Sequence, residues 1–141
     1  MARKASAEWY GDLRSGKGTM SGSSGAFSDL AFTFRTRFED EPGTNPEELV
    51  AAAHAGCFSM AFSNELASAG LNPTSVKTTA AASLGPVDGG NAITRIELTS
   101  VAHVPGADEA KVREIGESAK AGCPISRSLT GDITLNLTVE T

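Results

Sequence analysis

The two cysteines are the residues of this sequence with the most chemistry available to them. Cys57 lies in HAGCFSM, among small and bulky apolar residues, and Cys123 stands between a glycine and a proline. The thiolate is the nucleophilic form of cysteine, and burial among apolar side chains disfavours it. Cys57 is therefore either an inert core residue or a reactive thiol. In the second case, a nearby cation such as an arginine must stabilise its thiolate.

The two thiols could act together as a two-step peroxidase. A thiolate attacks a peroxide oxygen and becomes a sulfenic acid, which a second thiol converts to a disulfide. Cys123 stands at a chain break, so we expect it to be more accessible than Cys57. The long segment between the cysteines fixes no distance, so two unrelated structural cysteines, in a protein that binds small molecules or partners, remain the alternative.

A metal site is a third possibility for the same region. His54 and Cys57 share one face of a predicted helix, and Cys123 and His103 could complete a Cys2His2 set. Structural zinc sites usually contain closely spaced cysteine pairs, and this sequence has none. We therefore expect no metal, and we interpret His54 as an interior histidine and His103 as a surface or edge residue.

The clearest element around these residues is a helix over residues 46–69. Asn45 can cap it, Pro46 suits its first position, and Gly70 ends it. The helix is apolar nearly all round, which is typical of a helix buried on most sides. A chain of 141 residues can hardly bury such a helix alone, so we expect a partner subunit to cover part of it.

Strands and one further helix complete an expected α+β fold in a single domain, residues 1–141. A helix is predicted over 107–122, and turn signals pair two strands as a hairpin. In 31–38, alternation places Phe32, Phe34 and Phe38 on one face and Arg35 and Arg37 on the other. The predicted strands cover residues 5–10, 17–21, 31–38, 74–84, 92–104 and 132–140.

Charge and composition exclude several classes of protein. The net charge is −5 and no lysine or arginine run compensates for it, which argues against nucleic-acid binding. The longest nearly uncharged stretch, residues 49–64, is too short to span a bilayer, and the first residues do not resemble a signal peptide. We expect a cytoplasmic protein without membrane contact, whose two cysteines do not form a disulfide scaffold.

Four segments resemble the OsmC branch of the OsmC/Ohr family of thiol peroxidases. They are TNPEELVAAAHAGCFSMAFS, KAGCPISRSL, FRTRFE and WYGDLRSGKGT, and the similarity runs from near Trp9 to the C-terminus. The resemblance implies that Cys57 is the peroxidatic cysteine and Cys123 the resolving cysteine. It further implies that Arg37 lowers the pKa of the first thiol and orients the peroxide, and that Glu47 holds this arginine.

The family also implies an assembly and a reaction. Its members are intertwined homodimers of antiparallel sheets around a long buried central helix. They reduce organic hydroperoxides, and hydrogen peroxide less well, without a bound cofactor. An external dithiol restores the thiols; in the Ohr branch it is a lipoyl dithiol.

Three points stay open in the sequence. Arg35 lies on the same predicted strand face as Arg37 and is the rival for its role. In one straight helix, Glu47 would lie about 15 Å from Cys57 along the axis, so either the helix breaks or Arg37 and Glu47 serve the partner's Cys57. An apolar pocket for the organic tail is expected from four side chains: Phe38, Phe58, Met60 and Phe62.

Overall fold

Six strands and four helices make up the chain, and the computed structural model describes all 141 residues. The strands are β1 Ala5–Tyr10, β2 Lys17–Gly22, β3 Leu30–Thr33, β4 Ser75–Val87, β5 Gly90–His103 and β6 Asp132–Glu140. The helices are α1 Phe34–Phe38, α2 Pro46–Ser68, α3 Glu109–Gly122 and α4 Pro124–Ser128. These elements confirm the predicted α+β fold. They form two units, Met1–Leu49 and Val50–Thr141, and a single domain stays a prediction.

The first unit contains an antiparallel sheet in the order β1-β2-β3. Gly18 on the middle strand pairs with Trp9 on one side and Phe32 on the other. A Cβ at Gly18 would lie 2.7 Å from the Trp9 ring and 2.8 Å from the Phe32 ring. The glycine therefore lets the two rings meet over the middle strand, with centroids 5.2 Å apart.

The predicted strand over 31–38 is wrong in its second half, because β3 ends at Thr33 and α1 follows directly. The Thr33 hydroxyl accepts from the Thr36 N–H, and the Thr36 hydroxyl accepts from the Thr33 N–H, which closes a capping box. The Phe34 and Phe38 rings stack four residues apart, at 4.9 Å between centroids. Arg37 therefore projects from a helical turn rather than from a strand.

The helix α2 begins at Pro46 as predicted and ends at Ser68, one residue before the predicted end. The Asn45 side-chain oxygen accepts from the Glu48 N–H at 2.9 Å, and Gly70 adopts a φ of +78° after the last turn. Only the face formed by every fourth residue is buried, and Met60 is 77% exposed. The core lies on one side of the helix, so a single chain leaves much of its apolar surface uncovered.

The second unit contains a sheet in the order β4-β5-β6. The predicted hairpin is confirmed, since β4 and β5 pair antiparallel around Asp88 and Gly89. The expectation of purely antiparallel sheets is wrong, because β6 runs parallel to β5. The intervening α3 and α4 form the crossover that returns the chain to the same end of the sheet. No helix of the chain has both the length and the apolar character needed to cross a membrane.

Candidate active site

The Cys57 and Cys123 sulfur atoms lie 2.9 Å apart, and both are free thiols. Cys57 is carried by α2, whereas Cys123 is the residue that joins α3 to α4. A disulfide has an S–S distance of about 2.05 Å, so a shift of about 0.9 Å would join the two sulfurs. The fold therefore places two cysteines that are distant in sequence within reach of a disulfide.

The two thiols differ in access to solvent, in the order opposite to our expectation. Cys57 is half-buried, whereas Cys123 is 0% exposed. The Cys123 N–H closes the last turn of α3 by donating to the Ala119 carbonyl at 2.9 Å, which draws the residue into the core. A peroxide from solvent can therefore approach Cys57 and not Cys123.

The surroundings of the two sulfurs shift their pKa values in opposite directions. Burial raises the pKa of the Cys57 thiol, and its hydrogen bond with Cys123 raises it further. Burial also acts to raise the pKa of Cys123, but hydrogen bonds from Cys57, Ser126 and Ile125 outweigh it and hold that pKa below its ordinary value. Within the second unit, none of the groups that shift the pKa of Cys57 is a cation.

The first unit holds a paired arginine and glutamate. Arg37 donates from Nη2 to Oε1 of Glu47 at 2.7 Å, and from Nε to both carboxylate oxygens at 3.2 Å. The two side chains are 34% and 14% exposed, respectively. Such a two-pronged pair fixes the plane of the guanidinium, and it leaves Nη1 available to a further acceptor.

The rival arginine has different surroundings. Arg35 is 64% exposed and pairs with two surface carboxylates, Glu39 at 3.3 Å and Glu41 at 3.6 Å. Exposed pairs of this kind orient a side chain weakly. Of the two arginines, Arg37 is thus the one held in a fixed orientation.

Arg37 lies at a pocket of about 380 Å³ within the first unit. Apart from the arginine, its wall is largely apolar, as is common for sites that bind small organic molecules. The guanidinium carbon of Arg37 lies 5.1 Å from the centroid of the Phe38 ring. The main lining side chains are Trp9, Leu13, Phe32, Phe34, Arg37 and Phe38.

Of the four side chains expected to bind the organic tail, only Phe38 lines this pocket. Phe58 and Phe62 are 0% exposed and pack in the core, so no ligand contacts them in this conformation. Met60 is largely exposed, on a side of α2 away from the buried face. The sequence prediction missed Trp9, which the glycine at position 18 allows to stack on Phe32.

The four residues of the metal alternative do not form a ligand set. No group of three or more histidine, cysteine or acidic side chains is placed to hold an ion. His54 is fully buried, and its Nε2 lies 2.8 Å from the Ser126 hydroxyl. His103 is partly exposed and faces Glu140 at 3.4 Å. Sequence analysis overlooked Ser126, although proline after Cys123 indicates a helix start that places this serine in its first turn.

Known proteins resemble this chain over most of its length. Residues 38–138 match the family described as OsmC-like protein. The chain is 53% identical to peroxiredoxin OsmC of Escherichia coli over 95% of its length and 94% of that protein. It is 36% identical to the organic hydroperoxide resistance protein of Xanthomonas axonopodis over 69% of its length and 67% of that protein.

A solved structure agrees with these similarities. The organic hydroperoxide resistance protein OhrB of Bacillus subtilis is 25% identical and superposes with a TM-score of 0.66, covering 97% of this chain and 98% of that one. The sequence match and the common fold lead to one conclusion: this chain belongs to the family of OsmC-like proteins.

Proposed function

We propose that this protein is a thiol-dependent peroxidase that reduces organic hydroperoxides to alcohols, and hydrogen peroxide less well. The observation that carries the proposal is the 2.9 Å contact between an accessible and a buried cysteine sulfur. The names of the relatives, peroxiredoxin and organic hydroperoxide resistance protein, support the same activity.

The reaction proceeds in three balanced steps. The Cys57 thiolate attacks one peroxide oxygen, the O–O bond breaks, and the alkoxide takes a proton to leave as alcohol. The Cys123 sulfur then attacks the sulfur of the Cys57 sulfenic acid, which forms the disulfide and releases water. An external dithiol exchanges with this disulfide and restores both thiols. Such a cycle suits the reducing cytoplasm, where free thiols persist.

Cys57 needs a cation that its own surroundings do not supply, and Arg37 is the candidate. The guanidinium would stabilise both the Cys57 thiolate and the negative charge that develops on the peroxide oxygens. Since α2 is one unbroken helix, Glu47 lies about 15 Å along its axis from Cys57. Arg37 and Glu47 therefore serve Cys57 of the partner subunit in a homodimer, which would also cover the exposed side of α2.

The pocket beside Arg37 accounts for a preference for organic substrates. Its aromatic wall would hold the organic tail while the guanidinium contacts the peroxide group, because apolar surface favours the tail over water. Hydrogen peroxide has no tail and gains nothing from this wall.

Substitution of Arg37 by glutamine is expected to lower kcat/KM for cumene hydroperoxide about 100-fold, which is typical for loss of a group that stabilises developing charge. Arg35→Gln is the matched control on the same helical turn. It removes only exposed ion pairs, so activity should stay within about two-fold of wild type. A larger loss in Arg35→Gln than in Arg37→Gln would assign the role to Arg35.

The proposed function itself is tested by intact mass. Reduced protein receives one equivalent of cumene hydroperoxide, and we expect a loss of two hydrogens that peptide mapping places at Cys57 and Cys123. If both thiols persist unchanged, the cysteines are structural and the protein is a binding or interaction module. Repeating the measurement with excess dithiol should restore the starting mass.

A further inference from the structure

One side chain joins the two helices that carry the paired arginine and glutamate. Asn45 lies directly before α2, and its side-chain oxygen accepts from the Glu48 N–H at 2.9 Å. The amide nitrogen of the same side chain donates to the Thr36 carbonyl of α1 at 3.0 Å. Asn45 therefore caps the start of α2 and binds the backbone of α1 at the same time.

The two contacts determine which way the amide of Asn45 faces. The Glu48 N–H needs an acceptor and the Thr36 carbonyl needs a donor, so only one orientation of the amide serves both. The Asn45 carbonyl also accepts from the Leu49 N–H at 3.3 Å, which begins the backbone hydrogen bonds of α2. A side chain that only accepts hydrogen bonds can make the contact with α2 but not the contact with α1.

The short helix α1 depends on contacts of this kind. It has only five residues, Phe34–Phe38, and a helix of this length is not stable by itself. The capping box between Thr33 and Thr36 holds its first turn. Carbonyls near the end of a helix lack helical partners, and the Thr36 carbonyl receives its donor from Asn45. The Asn45 amide thus fixes the end of α1 from which Arg37 projects.

The link lies next to the ion pair in both helices. Arg37 follows Thr36 in α1, and Glu47 lies two residues after Asn45 in α2. A two-pronged pair forms only when guanidinium and carboxylate meet in the right orientation, and here Nη2 and Oε1 are 2.7 Å apart. All four residues belong to the first unit. Because the Asn45 amide joins the two backbones beside this pair, it limits how far Arg37 can shift from Glu47.

We propose that Asn45 is a positioning residue for Arg37. Its amide holds α1 at the start of α2, so that Glu47 can keep the guanidinium in the orientation that peroxide reduction requires. The proposal rests on the peroxidase function above and on the role given there to Arg37. A displacement of about 1 Å at a reacting group can cost about 100-fold in rate, so one hydrogen bond to the backbone of α1 matters for activity.

Two substitutions separate the cap of α2 from the link to α1. Asn45→Ser and Asn45→Asp both keep an oxygen that can accept from the Glu48 N–H, since serine, aspartate and asparagine are similarly good helix caps. Neither variant offers an amide N–H to the Thr36 carbonyl. Because the two variants differ in charge, a loss of activity that they share is due to the missing N–H.

The measurement is the rate at which the full-length reduced protein forms the Cys57 sulfenic acid with cumene hydroperoxide, followed by dimedone trapping. Both variants should lower this rate about ten-fold, whereas their thermal unfolding should stay close to that of wild type. The pH at which the rate rises should also increase, because a displaced Arg37 stabilises the Cys57 thiolate less. A purely structural role of Asn45 would leave this pH profile unchanged.

A double-mutant cycle shows whether Asn45 acts through Arg37. In the Arg37→Gln background, Asn45→Ser should change the rate by less than about two-fold, because the group that it positions is gone. Asp108→Ala is the matched control, since it removes the side chain that accepts from the Ala110 N–H at the start of α3. It should leave the rate within about two-fold of wild type, although a helix cap is lost. If Asn45→Ser does not fold, Asn45→Asp takes its place in the cycle, because a negative charge further stabilises the start of a helix.

The outcomes distinguish failure of this proposal from failure of the proposed function. Rates within about two-fold of wild type in the Asn45 variants, with Arg37→Gln slow, would overturn the positioning role, because a displaced guanidinium costs more. A ten-fold loss that persists in the Arg37→Gln background would also overturn it, since Asn45 would then act without Arg37. If the wild-type protein forms no sulfenic acid, or Arg37→Gln reacts as fast as wild type, the proposed function or its use of Arg37 fails instead.

Discussion

Replacement of Cys57 by serine is expected to abolish peroxide reduction. We expect turnover of cumene hydroperoxide below about one thousandth of wild type, because loss of a catalytic nucleophile generally costs at least this much. A serine hydroxyl stays protonated at neutral pH and cannot form the sulfenic acid on which the cycle depends. The measurement is dithiol-dependent consumption of peroxide, with the intact mass as a second readout.

The fold of this variant should remain intact, because sulfur and oxygen differ little in size at this half-buried position. Thermal unfolding of Cys57→Ser and Cys57→Ala should therefore resemble that of wild type. Dithiol-dependent turnover that survives in both variants would show that Cys57 is not the nucleophile. It would return Cys57 to the role of a small core residue.

Much of the fold could be predicted from the periodicity of the sequence. The helix α2 had a capping asparagine, a proline at its start and a glycine at its end, so its bounds were clear. Alternation alone could not locate the end of β3, because Phe-Arg-Thr-Arg-Phe also fits a helical turn with its first and last rings stacked. The capping box between Thr33 and Thr36 decides for the helix.

The candidate site was less accessible to sequence reasoning. Residue types identified the two thiols, but only the fold brings their sulfurs to 2.9 Å. Cys123 was expected to be more accessible than Cys57, and the structure shows the opposite order. Cys123 lies at the end of one helix and the start of the next, and this places it in the core. Phe58 and Phe62 are expected from the sequence to line an apolar pocket for the substrate, yet helical spacing directs both toward the buried face.

Replacement of Cys123 by serine separates the first oxidation from the second. In Cys123→Ser, Cys57 should react with the first equivalent of peroxide at a rate close to wild type, because the substitution leaves the half-buried Cys57 thiol itself in place. The sulfenic acid then has no thiol partner. The intact mass should gain one oxygen instead of losing two hydrogens, and further peroxide should add a second and a third oxygen.

The response to excess peroxide, without added dithiol, is the decisive comparison. Wild-type protein should stop at the disulfide, since a sulfur in that state is protected from sulfinic acid formation. Cys123→Ser should proceed almost completely to the sulfinic or sulfonic acid at Cys57. If the variant resists over-oxidation as well as wild type does, a group other than Cys123 protects the sulfenic acid. Omission of dithiol is essential, because a small thiol could replace Cys123 and hide its loss.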